Sequence, residues 1–265
     1  MSDTNQPLSR CFILTAHQPV YLPWLGLFHK IACADEFVYF DDVQYQDKDW
    51  NNRNKVKTAT GPALLTVPVF NKDHFNLKVK DVLIRNDVPW KRKHFKTISL
   101  AYAKAPYAHR YVPFFEDLYS KEWEKLTDLN EFVLKFVFNE LRLRPRFSKL
   151  SDLSLTKTKS ELVLEMCQLL KADLYIFGTL GKDYADVQAF EHSGVRVEFQ
   201  EYIHPVYSQL HGPFVSHLSV FDLLFNHGPA SLDILMSGNM TKDILRSKHG
   251  VPPTMIPAPN TETAR

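Results

Sequence analysis

The sequence predicts an α/β fold: a Rossmann-like open, mostly parallel sheet with a hairpin or mixed edge and an additional helical layer. Short apolar runs that end at polar residues alternate with segments of helical periodicity, which is typical of β/α units. Two apolar runs in the first third of the chain are separated by a polar connection, which favours a hairpin. A long stretch that follows has helical periodicity alone, and this predicts the helical layer.

The first β/α unit is the clearest. Residues 11–16 are apolar and are followed by polar residues, which indicates a buried strand. Residues 24–33 have apolar side chains at helical spacing, and Pro23 is well placed to begin that helix. Residues 36–40 are predicted as a second strand. The chain therefore opens with a β-loop-α-β arrangement.

The remaining elements are predicted from the same patterns. They are strands over 64–69 and 79–85, which form the hairpin or paired edge, a helical layer over 90–143 interrupted near Pro106, Pro113 and 128–130, a helix over 158–170, strands over 173–177 and 195–199, a loop over 204–209 and a helix over 219–225.

The length and composition favour one large core. The chain has 265 residues with 45% hydrophobic content, and single cores grow to roughly 250–300 residues before they split. We expect residues 11–249 to form one α/β catalytic domain, in which residues 90–150 could form a helical subdomain. Residues 1–10 are expected to be a flexible N-terminus. Residues 250–265 contain four prolines and few apolar anchors, which predicts a disordered tail.

The charge and the cysteine content limit where the protein can be located and which partners it can bind. Lys plus Arg is 32 and Asp plus Glu is 30, so no strong field would attract nucleic acid, and no DNA partner is expected. The three cysteines form no CxxC pair, which fits a reducing cytoplasm. The polar N-terminus lacks the pattern of a signal peptide, and no run approaches the roughly 20 apolar residues of a membrane span. We therefore expect a cytoplasmic protein without membrane insertion.

The densest group of polar residues follows the first predicted strand, over residues 17–26 with Lys30. In open α/β sheets this edge is where ligands bind, and a helix beginning near Trp24 would direct free N–H groups toward it. His17 could act there as a general base or as a hydrogen-bond donor. The alternative is that His17 and Gln18 only satisfy loop backbone groups while Trp24 packs in the core.

Two further groups follow in the first half of the chain. Asp41, Asp42 and Gln44 come at the end of the second strand, where carboxylates could bind a metal, a ribose or an amine; ordinary turn chemistry is the alternative. Residues 50–55 concentrate amides and cations, so Arg53 could hold a phosphate or carboxylate; the alternative is a solvated loop. The basic residues 90–94 are interpreted as a solvated helix face.

The second half of the chain adds three groups. Residues 178–184 follow a predicted strand and suit a backbone loop around an anion, although the Walker spacing is absent. Residues 204–209 are polar and aromatic. Asp222 and Asn226 share one face of a helix and could both reach a ligand, or Asp222 could pair with a polar group of the core. The sequence has no GxSxG, HExxH or GxGxxG motif, and its histidines show no standard metal spacing.

Taken together, these motifs resemble the WbqC-like protein family over residues 15–228. The resemblance is carried by HQPVYLPWLG with Lys30, FDDVQ, NRNKV, LTVPV, KRKH after Trp90, GKDY, HPVYSQ and LSVFDLLFNHG. It implies a role in the biosynthesis of O-antigen or another surface polysaccharide, as in lipopolysaccharide, and the transfer of glycine or another acyl group to an amino sugar.

The resulting hypothesis is an N-acyl or aminoacyl transferase that acts on a nucleotide-linked amino sugar. Its activated donor could be acyl-CoA, an acyl carrier protein or an aminoacyl-tRNA, which makes a carrier protein a candidate partner. One alternative is a nucleotidyl-transferring or adenylate-forming enzyme that uses Asp41 or Asp42 with magnesium. Another is a non-catalytic sugar-binding module.

The candidate site residues are expected to meet in one cavity, because their segments end or follow strands that share an edge. No metal ligand is predicted. The candidate catalytic residues are His17, Asp42 and Asp222, and the candidate substrate-binding residues are Gln18, Tyr21, Trp24, Lys30, Gln44, Asn52, Arg53, Lys182, Asp183, Tyr184, His204, Tyr207, Gln209 and Asn226.

Overall fold

A computed structural model describes residues 11–70 and 77–250. The predicted flexible N-terminus and residues 251–265 of the predicted tail lie outside the described residues. The strands are β1 (Ile13–His17), β2 (Glu36–Tyr39), β3 (Arg53–Thr58), β4 (Gly61–Thr66), β5 (Arg146–Lys149), β6 (Leu174–Phe177) and β7 (Arg196–Phe199). The helices are α1 (Leu25–Ala32), α2 (Trp90–Ala101), α3 (Ala108–Ser120), α4 (Leu126–Glu140), α5 (Lys159–Leu169), α6 (Val187–His192), α7 (Val220–His227), α8 (Ser231–Met236) and α9 (Lys242–Lys248).

Five strands form a parallel sheet in the order β5-β2-β1-β6-β7, and β3 and β4 form a separate antiparallel hairpin. The central strands β1, β2 and β6 are buried on both faces, which is why they appear as continuous apolar runs. From β1 the chain continues to β2 on one side, whereas β6 and β7 lie on the other. The α/β fold is therefore confirmed, and the strand order reverses between β1 and β6.

Two hydrophobic clusters cover the two faces of the sheet. The larger cluster joins α1 to the helical layer α2–α4, the hairpin and α7. The smaller one joins α5 and α6 to the opposite face. The helical layer thus packs through the same core as α1. The interpretation of residues 11–249 as one domain stays a prediction.

The predicted pairing of residues 64–69 with 79–85 is wrong in its main part. β4 pairs instead with the preceding strand β3, across a tight turn in which Gly61 has φ +111°. Residues 79–81 form a 3₁₀ turn, and only an isolated antiparallel bridge joins Val69 to Ile84. A short connection costs less closure entropy than a long one, and glycine tolerates the positive φ that such a turn requires.

Three smaller differences concern helices and an edge. Pro113 lies inside α3 and does not interrupt it, because the carbonyl that loses its N–H partner belongs to the exposed His109. β5 was not predicted, because its sequence RFSK is polar. Such a sequence is tolerated there because β5 is an edge strand. The short helices α8 and α9 also lack a clear periodic signal.

Among the described residues, no helix is long and apolar enough to cross a membrane.

Candidate functional site

A cleft of about 530 Å³ opens at the carboxyl ends of β1 and β6, where the strand order reverses. This is the position at which open α/β sheets bind ligands. The cleft brings together five of the predicted site residues: His17, Gln18, Trp24, Lys30 and Tyr184. Other lining residues belong to groups that the sequence singled out, namely Trp50, Asn51 and Asn54 of residues 50–55 and residues 178–181 of the predicted anion loop, whereas Gln200 and His217 were not predicted.

His17 is the last residue of β1, so the rigid strand fixes its position at the cleft. Its Nδ1 lies 2.8 Å from the carbonyl oxygen of Gln18. Because a carbonyl only accepts, Nδ1 carries the proton, and Nε2 of the neutral ring is then an acceptor. Burial, together with the nearby charge of Lys30, lowers the pKa of His17 to about 4. His17 is therefore neutral near pH 7, with an unprotonated Nε2.

The low pKa of His17 makes the stability depend on pH. The unfolded ring has an ordinary pKa near 6.5 and takes up a proton before the folded ring does, so protonation favours the unfolded state as the pH falls from about 6.5 toward about 4. We expect His17→Gln to gain stability relative to the wild type over this window, with no such drift above pH 7. Urea denaturation of both proteins at several pH values measures the difference in their free energies of unfolding. A difference in the free energy of unfolding that stays constant with pH would contradict a half-buried ring that is neutral in the folded protein.

Lys30 lies in the last turn of α1, and its side chain reaches the end of β1. Its Nζ donates a hydrogen bond to the carbonyl oxygen of Ala16, at 2.9 Å. Burial lowers the pKa of Lys30 to about 8. Within the described chain Lys30 forms no ion pair, so its charge is compensated by a single backbone carbonyl.

The walls of the cleft combine flat rings and amides. Trp24 stacks on His217, with ring centroids 5.6 Å apart and planes at 14°. Asn51 donates through Nδ2 to the carbonyl oxygen of Pro19, at 2.7 Å, and to Oε1 of Gln18, at 3.3 Å. Flat rings beside hydrogen-bonding groups are suited to a polar ligand with flat apolar faces, such as a sugar or a nucleobase.

The loop that follows β6 packs tightly at the floor of the cleft. A Cβ on Gly181 would lie 2.6 Å from Cβ of Phe177, an atom close to the backbone that cannot move away easily. We expect Gly181→Ala to destabilise the protein by about 1–3 kcal/mol through overpacking, measured by urea denaturation. The matched control is Gly178→Ala, whose Cβ would meet only Lys30 Nζ, at 4.0 Å, and which should change stability by less than about 0.5 kcal/mol. Equal effects at the two glycines would contradict this prediction.

The predicted convergence of all candidates in one cavity is wrong for Asn52, Arg53 and Tyr21. Tyr21 is fully buried, and its hydroxyl lies 2.9 Å from Nδ1 of His94, away from the cleft. Asn52 donates to the carbonyl oxygen of Val67, and Arg53 binds the side-chain oxygen of Asn52. Residues 53–58 form a strand and not a loop, so alternate side chains point to opposite faces, and the predicted anion clamp is not assembled.

The acidic residues after β2 also lie outside the cleft. Asp42 forms ion pairs with Lys78 and Lys80, at 3.0 and 2.7 Å. Asp41 accepts hydrogen bonds from the backbone N–H and the hydroxyl of Ser151. Gln44 is exposed and bridges to residue 78 through the backbone. The reason is the strand order: β2 neighbours β5, on the side of β1 opposite to β6.

Asp222 belongs to a second, buried network and not to the cleft. Its carboxylate is 0% exposed and accepts hydrogen bonds from Tyr102, Tyr207 and Gln209, at 3.0, 3.1 and 2.7 Å. Burial raises the pKa of Asp222, while these donors and the charge of Lys57 lower it. The alternative in which Asp222 pairs with polar groups of the core is therefore correct.

The remaining candidates bind neighbouring protein groups. Asn226 holds the loop before α7 by accepting from the N–H of Leu210 and donating to the carbonyl of Asp222. Lys182 pairs with exposed Glu201, at 2.9 Å, and the exposed Asp183 does not line the cleft. His204 lies behind His217 and accepts a hydrogen bond from its backbone N–H.

Within the described chain, no group of three or more His, Cys, Asp or Glu side chains is arranged to hold a metal ion.

Some of the cleft residues that were not predicted could have been found from the sequence, and others could not. Asn51 and Asn54 lie in the polar group over residues 50–55 that was already identified, on either side of the start of β3, so the sequence did carry a signal for them. His217 adopts a positive φ of 57° in a long irregular loop, and no pattern in the sequence predicts that conformation.

Comparison with known proteins supports the resemblance. The sequence profile of the WbqC-like protein family matches residues 18–234. A Mycobacterium tuberculosis protein named "Uncharacterized protein Rv1507c" is 33% identical over 220 residues, which cover 82% of this chain and 95% of that protein. No solved structure gives a significant match. The matched range begins directly after β1 and ends within α8, so it contains the buried network and all residues that line the cleft except Ala16 and His17. The chain belongs to the WbqC-like protein family.

Proposed function

We propose that the chain is a cytoplasmic transferase of surface polysaccharide biosynthesis, of the O-antigen type, that transfers an acyl or aminoacyl group to the amino group of a nucleotide-linked amino sugar. The observation that supports this most strongly is the position and protonation state of His17. A neutral imidazole whose Nδ1 is held by a backbone carbonyl, at the ligand-binding edge of the sheet, has the protonation state and orientation of a general base.

In the proposed reaction the sugar amine attacks the carbonyl carbon of the activated donor. The C–N bond forms, the bond from the carbonyl carbon to the leaving group breaks, and Nε2 of His17 accepts the proton that the amine loses. The ring of Trp24, stacked on His217, and the side chain of Trp50 offer flat surfaces for the sugar or the base. Asn51 and Asn54 supply the amide-rich wall that would face the sugar hydroxyls.

The donor is proposed at the level of its class: acyl-CoA, an acyl carrier protein or an aminoacyl-tRNA. Tyr175 and Phe177 give the cleft an apolar wall on the β6 side, which suits an acyl group. The exposed side chains of Leu180 and Tyr184 continue this apolar surface to the rim. A donor delivered by a carrier would enter from this side.

The nucleotidyl-transferring or adenylate-forming alternative receives less support. It assigns the chemistry to Asp41 or Asp42, and both carboxylates are bound to other protein groups away from the cleft. A non-catalytic sugar-binding module would use the same walls, but would not need an oriented, neutral histidine. We therefore favour the transferase.

Mass spectrometry of nucleotide-linked amino sugars, incubated with the protein and each donor class, tests the proposal. Transfer adds the mass of the acyl group to the sugar, and the gain should disappear when the amino sugar is replaced by its N-acetylated form. Saturable sugar binding without any mass gain across the donor classes would instead identify a binding module. Release of pyrophosphate from ATP would favour the nucleotidyl alternative.

A further inference from the structure

Lys30 is a buried cation without a counter-charge. Its side chain is 4% exposed, and its ammonium has one hydrogen bond, to the carbonyl oxygen of Ala16. An isolated charge in such surroundings destabilises a fold unless it is paired. The low pKa of Lys30, near 8, has the same physical cause, and the side chain still carries its charge at pH 7. The folded protein therefore maintains a costly cation.

The titratable neighbours of Lys30 do not neutralise it. His17 is neutral, and on the cleft side Asp49 is exposed and accepts from the N–H of Trp50. A smaller cavity of about 150 Å³ lies on the other side of Lys30 and Gln200. Its two carboxylates are paired elsewhere, Glu198 with Lys248 and His249, and Glu201 with Lys182. Within the described chain, the counter-charge for Lys30 is missing.

Gly178 provides the approach to this ammonium. A Cβ at position 178 would meet nothing within 4 Å except Lys30 Nζ, at 4.0 Å. The backbone there has φ −71° and ψ 171°, which any residue adopts, so the backbone does not require glycine. What glycine leaves is open space beside the ammonium, facing the cleft.

We propose that Lys30 and Gly178 form the binding site for a single carboxylate group of the substrate. Among the described residues that line the cleft, Lys30 is the one lysine or arginine. The other expected cations, Arg53 and Lys182, are bound to Asn52 and Glu201 outside it. One cation balances a monoanionic carboxylate, whereas a diphosphate would leave a second charge uncompensated, because the described residues of the cleft include no second lysine or arginine.

This inference deepens the proposed function, on which it rests for the presence of a substrate, and assigns the inner end of the cleft to a carboxylate. A diphosphate of a nucleotide-linked sugar then lies toward the mouth, in contact with solvent. The carboxylate belongs to the sugar or to the acyl donor. Its binding raises the pKa of Lys30, since a nearby negative charge favours the ammonium.

Binding of acetate, glucuronate and pyrophosphate to the full chain tests the site, by calorimetry or chemical-shift titration. We expect saturable carboxylate binding that weakens at least about tenfold in Lys30→Met, which removes the charge, and in Gly178→Val, which keeps the charge and fills the space. The matched control Lys93→Met, at an exposed lysine of α2, should bind normally. Carboxylate should also protect Lys30 from an amine-labelling reagent, quantified by mass spectrometry.

The melting temperature separates a ligand-binding lysine from a structural one. We expect Lys30→Met to melt at a higher temperature than the wild type, because an unpaired buried charge is removed. A lower melting temperature would make Lys30 structural and overturn the proposal. Unsaturable carboxylate binding would also overturn it, as would Lys30-dependent binding of pyrophosphate about tenfold tighter than that of carboxylate. Acyl transfer measured in parallel is independent of these results, so the two proposals can fail separately.

Discussion

His17→Gln is expected to lower the rate of acyl transfer by about 10² to 10⁴ without changing the fold, as removal of a general base does. The side chain of glutamine keeps a polar group near the carbonyl of Gln18 but cannot accept a proton near pH 7. Since His17 ends β1 and projects into the cleft, little core packing depends on its ring. The rate constant and the melting temperature of the variant measure the two effects.

The control and the pH dependence make this prediction specific. His109→Gln changes an exposed histidine of α3 and should leave the rate unaltered. For the wild type, kcat/KM should stay level from pH 7 down to about 5 and then fall as His17 takes up a proton with its pKa near 4. A rate loss that follows the fraction of unfolded protein would assign His17 a structural role.

Lys57→Met is expected to lower the free energy of unfolding by about 1–3 kcal/mol, the cost of losing the hydrogen bonds of a buried charged group. Lys57 is 2% exposed and donates to Oε1 of Gln209, at 3.1 Å, and to the carbonyl oxygens of Gly212 and Pro213, at 3.4 and 2.6 Å. Gln209 in turn donates to Asp222. The substitution removes the donor that Gln209 and the carbonyl oxygens of Gly212 and Pro213 share, and it leaves the carboxylate of Asp222 without a nearby positive charge.

Urea denaturation of Lys57→Met, Asp222→Asn and the double variant tests whether the two charges act together. We expect the double variant to lose at least about 1 kcal/mol less than the sum of the single losses, since each charge is costly mainly when the other is absent. The surface control Lys93→Met should change stability by less than about 0.5 kcal/mol. Additive losses would show that Lys57 and Asp222 are energetically independent.

The network around Lys57 also has a functional consequence. The segment it holds, residues 209–213, leads directly to His217, which stacks on Trp24 at the cleft. Under conditions where Lys57→Met is folded, we therefore attribute any loss of ligand affinity to a displaced stack. Asp222, which the sequence suggested as a catalytic group, does not line the cleft, and it accepts a hydrogen bond from Gln209 of this segment.

The cleft could be predicted in part because its central residues belong to one local unit. His17 and Lys30 lie in the first β-loop-α segment, where strand length and helical spacing determine which residues reach the carboxyl edge of the sheet. Asn51 and Gln200 could not be assigned in this way. They reach the cleft through contacts with Pro19 and Gly26, which are 32 and 174 residues away.

The sequence by itself determined the parallel sheet, the helical layer and the position of His17, because apolar periodicity reports which face of each element is buried. The tertiary structure alone decided what that face is buried against. It paired β3 with β4, placed Asp42 on the far side of β2, and joined Lys57 to Gln209 across 152 residues. These contacts form between segments that are far apart in the sequence. Their free energy depends on which polar groups remove water from one another, so the pattern of either segment alone does not predict it.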